Sequence, residues 1–168
     1  TRRSSDLAKA GKEARIILKM NALQDPAMID ELYKASEAGV KIDLIVRGIC
    51  CLIPNQPYSR NIRITRIVDS FLEHARVWYF HHGGKPLLFM GSPDWMRRNL
   101  YRRIEAVTPI LDEDLKQQLI DMLVIQLKDN RKAGWVDENL NNVLKRNPKE
   151  EPVRAQYAFY EYLKGKNK

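Results

Sequence analysis

Three groups of side chains in this sequence have types and spacing suited to chemistry on phosphate. Lys19 and Asn21 close one apolar run, and Arg47 closes the next. A lysine, an amide and an arginine provide a point charge, a neutral donor and a bidentate fork, which together can grip phosphate oxygens. The competing reading makes Lys19 and Arg47 solvated charges at strand ends. Arg103 and Glu105 stand two apart, so on a strand they share a face that Val107 continues. A central strand would hold such a pair only if its charges were matched or liganded. The arginine could bind phosphate while the glutamate orients it, binds a metal ion or accepts a proton, and a structural ion pair explains the spacing equally well. His74, His81 and His82 are the only imidazoles. A histidine can act in phosphoryl transfer as nucleophile, acid or base, or phosphate donor. His81 and His82 precede Gly83 and Gly84 and read as the decoration of an exposed hairpin turn. His74 reads as the end of a short helix, placed to face a cleft, where a cation would also suit the helix dipole.

The elements that must position these groups follow from pattern. Ala14–Met20 reads as a buried strand, and Lys41–Val46 alternates Ile42, Leu44 and Val46 with polar positions. Between them lies a helix with Asp25 at its cap, Pro26 at its first turn, Gly39 at its end, and Met28, Leu32, Tyr33 and Ser36 on one face. Strand, helix and strand at this spacing form a βαβ unit with parallel strands, and ligands bind such sheets at the carboxyl edge. Further strands are predicted over Val77–Phe80, Leu87–Met90 and Arg103–Thr108, and a turn or short helix over Trp95–Arg98. A helix over 112–127 places Leu115, Leu119, Met122 and Leu123 on one face. Residues 5–12 read as a helix tail, 129–150 as polar and irregular, and a last helix starts near Pro152 with Val153, Tyr157 and Tyr160 inward. The fold class is α/β, with a mostly parallel or mixed sheet flanked by helices.

Composition narrows the partners. Of 168 residues, 29 are basic and 21 acidic, a net charge of +8 that favours polyanions: nucleic acid, an anionic membrane or a phosphate-rich substrate. Arg97, Arg98, Arg102 and Arg103 form one basic cluster, and Lys145, Arg146, Lys149 and Arg154 another. Cys50 and Cys51 are adjacent, an awkward geometry for a disulfide, which points to a reducing compartment. No zinc-type ligand spacing, Gly-rich P-loop or GxGxxG pattern occurs, so no metal-ligand set is assigned. Trp78, Tyr79 and Phe80 alternate faces and read as core, not as a base-stacking platform. The sequence opens on Thr1 in polar surroundings and reads as a piece of a larger chain.

The segments KMNALQDP (19–26), LIVRGICCLIP (44–54), IVDSFLEHARVWYF (67–80), GSPDWMRRNLYRRIEAVTPILD (91–112) and VRAQYAFYEYL (153–163) together resemble the C-terminal domain of long-form bacterial polyphosphate kinase. The resemblance implies one C-terminal catalytic domain over residues 1–168 with a phospholipase D-like fold, in which two similar domains face each other across an active site. It implies reversible transfer of the γ-phosphate of ATP to inorganic polyphosphate through a phosphohistidine in a preceding domain, so that this piece alone is inactive. Arg47 of VRG and His74 of LEH map to nucleotide contacts, and Arg103 and Glu105 of R-x-E to residues important for activity. Lys19, Asn21, Asp94 and Arg98 sit in family motifs without an assigned role. ATP or ADP, Mg²⁺ bound mainly outside this piece, polyphosphate, the remaining domains, homo-oligomerisation and a cytoplasmic setting follow from the same resemblance; nucleic acid is not expected, and peripheral membrane association is compatible with it. GSPDWMRRNL is similar to the GS-x-N segment of the phospholipase D superfamily, but Trp78, Tyr79 and Phe80 stand where its HxK pair belongs. Two rival readings are a phospholipase D-type nuclease or lipase half and a basic nucleic-acid-binding module.

Overall fold

A computed structural model describes residues 2–81, 83–146 and 149–166. An eight-stranded sheet lies between two helical layers. Its strands are β1 (Arg15–Met20), β2 (Lys41–Val46), β3 (Ile62–Ile67), β4 (Val77–Phe80), β5 (Leu87–Gly91), β6 (Val107–Pro109), β7 (Ala133–Val136) and β8 (Asn142–Leu144). In space they run β6-β5-β4-β1-β2-β3-β7-β8. Among the described residues only β1–β2 and β2–β3 are parallel; the other five pairings are antiparallel. The sheet is therefore mixed, with a parallel centre.

The period of two in β1 builds both cores. Ile16, Leu18 and Met20 face one side and pack with Leu32 and Ala35 of α2 (Pro26–Glu37), against which α1 (Arg2–Lys9) also rests. Ile17 faces the other side with Ile45 and Ile67, beneath Met122 and Leu123 of α4 (Glu113–Lys128), and α5 (Ala155–Lys166) packs on α4. The predicted strand–helix–strand unit is present. The Asp25 carboxylate accepts from the Met28 N–H at 3.1 Å, Pro26 occupies the first turn, and Gly39 ends the helix with φ of 95°. Trp78 joins the α2-side core and Tyr79 packs toward the other, as alternation requires.

Several expectations are corrected. No helix ends at Glu73 or His74: β3 is followed by an irregular stretch over 68–76. Residues 103–106 are not a strand, and β6 begins only at Val107 as the last strand of the sheet, so Arg103 and Glu105 are not a pair on a central strand. Arg103 instead ends the short helix α3 (Arg97–Arg102) in extended backbone. The region 129–150 contains β7 and β8. In α2, Ile29 and Ala35 are buried along with Leu32 and Ser36. Leu115 of α4 and Tyr157 and Tyr160 of α5 are exposed, because these two helices bury their contacts against each other and the sheet along a narrower stripe.

Candidate functional site

The carboxyl ends of β1, β2, β3 and β5 share one edge with the starts of β4 and β7, since β4 and β7 run antiparallel to their neighbours. Beyond β1 the chain continues extended from Asn21 to Asp25, flanked by the loops after β2 and after β5. Leu23 bridges both Cys50 and Trp95. The Gly48 N–H donates to the Asn21 carbonyl at 2.8 Å, and the Trp95 N–H to that of Ala22 at 3.1 Å. A Cβ on Gly48 would lie 3.0 Å from the Asn21 carbonyl oxygen, so glycine here permits the close approach. Arg66 of β3 fixes the same loop by donating to the Gly48 carbonyl at 2.8 Å.

Asn21 joins two of the predicted residues. Its Oδ1 accepts from Arg47 Nε at 3.1 Å and its Nδ2 donates to the His74 carbonyl at 3.5 Å. Arg47 keeps both Nη groups for other work, and among the described residues it enters no ion pair. His74 is exposed, and its carbonyl also accepts from Arg76 Nη1 at 3.0 Å. The Arg47 guanidinium and the His74 backbone are therefore joined through the Asn21 amide at the carboxyl edge, where His74 is exposed.

Beneath them lies a buried charge pair. Asp94 accepts from the N–H groups of Asn21 at 2.8 Å and Ala22 at 3.2 Å, and from Arg76 Nε at 3.2 Å and Nη2 at 2.8 Å. Burial pushes the Asp94 carboxyl up, but the Arg76 bonds and the two backbone donors outweigh it and hold the pKa below the ordinary value. Lys19 is not a solvated strand-end charge, nor is it open to phosphate. It is 6% exposed and its Nζ lies 2.6 Å from Glu73 Oε2. Glu73 also accepts from Gln126 of α4 and from Gln156 of α5 at 3.0 Å, so both helices brace the residue next to His74.

Glu105 accepts from the Ser92 hydroxyl and from Asn99 Nδ2, the latter at 2.6 Å, while Ser92 Oγ accepts from the Ala106 N–H at 3.0 Å. Those bonds, with the nearby charges of Arg103 and Arg76, lower its pKa. Glu105 thus closes the 92–106 loop and has both oxygens engaged. Arg103 is exposed at the end of α3 and makes no ion pair among the described residues. Among the described residues no group of three His, Cys, Asp or Glu side chains could hold a metal ion. The rim carboxylates are spent on internal partners, so they do not fit Mg²⁺ as a ligand set.

His81 lies at the opposite edge, where its N–H donates to the Arg15 carbonyl and its Nδ1 meets the Tyr79 hydroxyl at 3.2 Å. It belongs to the β4–β5 turn; His82 lies outside the described residues. Sequence reasoning passed over Arg76, Glu73, Ser92 and Asn99. No local signal marks them, because their partners Asp94, Lys19 and Glu105 lie in other segments of the chain.

Residues 1–156 match the family model described as polyphosphate kinase C-terminal domain 2. The chain is 49% identical over 158 residues to polyphosphate kinase of Yersinia pestis and 48% identical over 155 residues to that of Halalkalibacterium halodurans, covering 94% and 91% of this chain. It spans only 23% and 22% of those proteins. The crystal structure of polyphosphate kinase from Porphyromonas gingivalis superposes with a TM-score of 0.97 at 59% identity, over 98% of this chain and 26% of that one. A phospholipase D family member, Nuc from Salmonella typhimurium, shares the fold at 13% identity with a TM-score of 0.53, over 74% of this chain and 84% of that one. The family model over nearly the whole chain and the relatives at 48–59% identity show that this chain, with its phospholipase D-like fold, belongs to the family of polyphosphate kinase C-terminal domains.

Proposed function

We propose that this chain supplies part of the ATP and polyphosphate site of an enzyme that reversibly moves the γ-phosphate of ATP to inorganic polyphosphate. The observation that carries the reading is the Asn21 amide, which joins the Arg47 guanidinium to the His74 backbone carbonyl at the carboxyl edge of the sheet. The transferring phosphoryl group spreads negative charge over its oxygens, so catalysis consists mainly of positioning and electrostatic stabilisation. Arg47, with Nε fixed, presents its Nη edge to the ATP phosphates. His74 donates to, or protonates, the leaving or entering oxygen. Arg103 faces the transferring group or the chain, and Glu105 acts at one remove by fixing Ser92 and Asn99. A histidine of a preceding domain attacks the γ-phosphorus, ADP leaves, and the terminal oxygen of polyphosphate then takes the phosphoryl group and frees the histidine. Mg²⁺, where used, would shield phosphate charge and draw its protein ligands from outside this chain. The setting is cytoplasmic and the full-length enzyme a homo-oligomer; the chain itself contributes no helix, among the described residues, long and apolar enough to cross a membrane.

Arg47→Ala and His74→Ala in the full-length enzyme test the assignment. Loss of a charge-assisted phosphate contact of about 1.5–3 kcal/mol corresponds to an increase of about tenfold or more in KM for ATP with Arg47→Ala. His74→Ala should lower kcat with the fold intact by circular dichroism. Near-normal turnover in both removes these roles. A phosphodiesterase reading needs the HxK pair, and β4 carries Trp78, Tyr79 and Phe80 there. Competition separates a nucleic-acid module: long-chain polyphosphate should displace bound ligand far more readily than DNA of equal charge.

A further inference from the structure

A second basic site lies along the same edge. Arg131, Lys132, Arg146, Pro152 and Arg154 line a cavity of about 470 Å³. Four of the five lining side chains are cationic and none is acidic; Glu150 and Glu151 lie outside the lining. Its place in the fold is fixed by β7, whose first residue, Ala133, pairs with Ile67, the last of β3. Arg131 and Lys132 thus emerge at the edge that carries Arg47 and His74.

The walls are built, not merely charged. Buried Asp129 accepts from the N–H groups of Arg131 at 2.9 Å, Lys132 at 2.7 Å, Ala133 at 2.9 Å and Ala155 at 2.7 Å. The buried Asn130 side chain bonds the Glu151 carbonyl and the Val153 N–H, each at 2.8 Å. Two loops distant in sequence are thereby zipped into one rim. Arg154 is aimed by Asp69, which takes its Nε at 2.8 Å and Nη2 at 2.6 Å. Asp69 opens the 69–74 segment that ends at His74, and Gln156 grips that segment at Phe71 and Glu73. Five residues of chain span at most about 17 Å, so one extended polyanion can touch both the cavity and the His74 region.

We propose that this cavity is a subsite for the inorganic polyphosphate chain, holding phosphate residues away from the point of transfer. It rests on the polyphosphate reading above. The lining favours a bare phosphate chain over nucleic acid, because it contains no aromatic ring on which a base could stack. The Arg131 and Arg146 forks and Lys132, beside an Arg154 whose fork Asp69 already holds, match repeated phosphate oxygens without selecting a register, as a sliding chain requires.

The test uses the full-length kinase with Lys132→Ala and Arg146→Ala combined, and the longer Lys132→Gln with Arg146→Gln as a check on folding, in the ADP-consuming direction. Loss of two exposed charge contacts should raise KM for long-chain polyphosphate about five- to tenfold. KM for tripolyphosphate, which has only two phosphates beyond the one transferred, should move by less than about twofold, as should KM for ADP. If both variants keep the wild-type KM for the long chain, the subsite is wrong. It is equally wrong if all three KM values shift together, or if DNA of equal charge competes for long-chain binding as well as polyphosphate does in the wild type and not in the variant. A wild-type enzyme that uses no polyphosphate of any length would instead sink the functional reading itself.

Discussion

Removal of the Asp94 carboxylate is the most demanding test of how the rim is held. Asp94 and Arg76 are a nearly buried pair, with side chains 10% and 12% exposed. Asp94→Ala strands the guanidinium in that environment, and breaking a buried pair from one side costs about 3–5 kcal/mol. Two backbone donors, the N–H groups of Asn21 and Ala22, lose their acceptor as well. Arg76 retains its bond to the His74 carbonyl, which softens the loss. The net expectation is about 4 kcal/mol, and with a urea slope of about 2 kcal/mol per molar the midpoint falls by about 2 M. Urea titration followed by tryptophan fluorescence suits the measurement, since Trp95 and Trp78 are buried beside the pair. Asp94→Asn keeps an acceptor for the backbone and should lose about half as much. The double change Asp94→Ala with Arg76→Met removes the stranded cation, so its cost should fall at least about 1 kcal/mol short of the sum of the singles. Strict additivity, or an Asp94→Ala cost below about 1 kcal/mol, would refute the claim that this pair organises the edge.

Other perturbations reach the same region differently. Asn21→Ala in the full-length enzyme removes the link between Arg47 and His74, and a neutral bond of this kind translates into a KM for ATP about three- to tenfold higher with little change in unfolding midpoint. Gly91→Ala would set a Cβ 2.9 Å from the Trp78 ring and 3.0 Å from the Ala106 carbonyl oxygen, just before Ser92. Overpacking should cost about 1–3 kcal/mol, read as a lower thermal midpoint. The hydrogen bonds from Arg154 draw the Asp69 pKa down to about 2. The folded-state value lies below the unfolded one, so the contribution is fully present above about pH 4 and is lost as pH falls through about 2. The stability gap between wild type and Asp69→Asn should therefore be constant from pH 5 upward and close on acidification; a gap that widened in acid would reverse the sign.

Much of the centre of the sheet is legible in the sequence because local signals and burial agree there. β1 and β2 are short apolar runs on either side of a helix with a capping carboxylate, a first-turn proline and a terminal glycine, and each signal marks a boundary the structure keeps. β3 is harder to read. Its sequence, IRITRI, alternates well at first, but Arg66 turns back to hold the loop after β2, so a charge serves the fold where solvent contact would be expected. β7, with sequence AGWV, has almost no local strand signal; it exists because Ile67, Arg66 and Thr65 offer it an edge to pair with. Such strands are decided by partners remote in sequence, which no local window contains.

The same distinction governs the site. Arg47 is legible because a cation that closes a parallel strand must reach the carboxyl edge, and the strand was legible first. The strand expected around Arg103 and Glu105 misleads because spacing of two implies a shared face only within a strand, and the chain there is leaving a helix. Lys19 misleads for a different reason. Its position is right, but whether a cation at a strand end meets solvent, ligand or carboxylate depends on what folds over it, and here Glu73 arrives from 54 residues away. Of the groups assigned to phosphate in the proposed mechanism, Arg47 and His74 are thus outer members of a bonded set whose inner members, Asp94, Arg76, Lys19 and Glu73, neutralise one another in pairs. Pairing inside leaves surplus charge outside, on Arg47, on Arg103 and, at the cavity, on Arg131, Lys132 and Arg146. An excess of positive charge can therefore be concentrated along one edge without leaving an unmatched cation in the core.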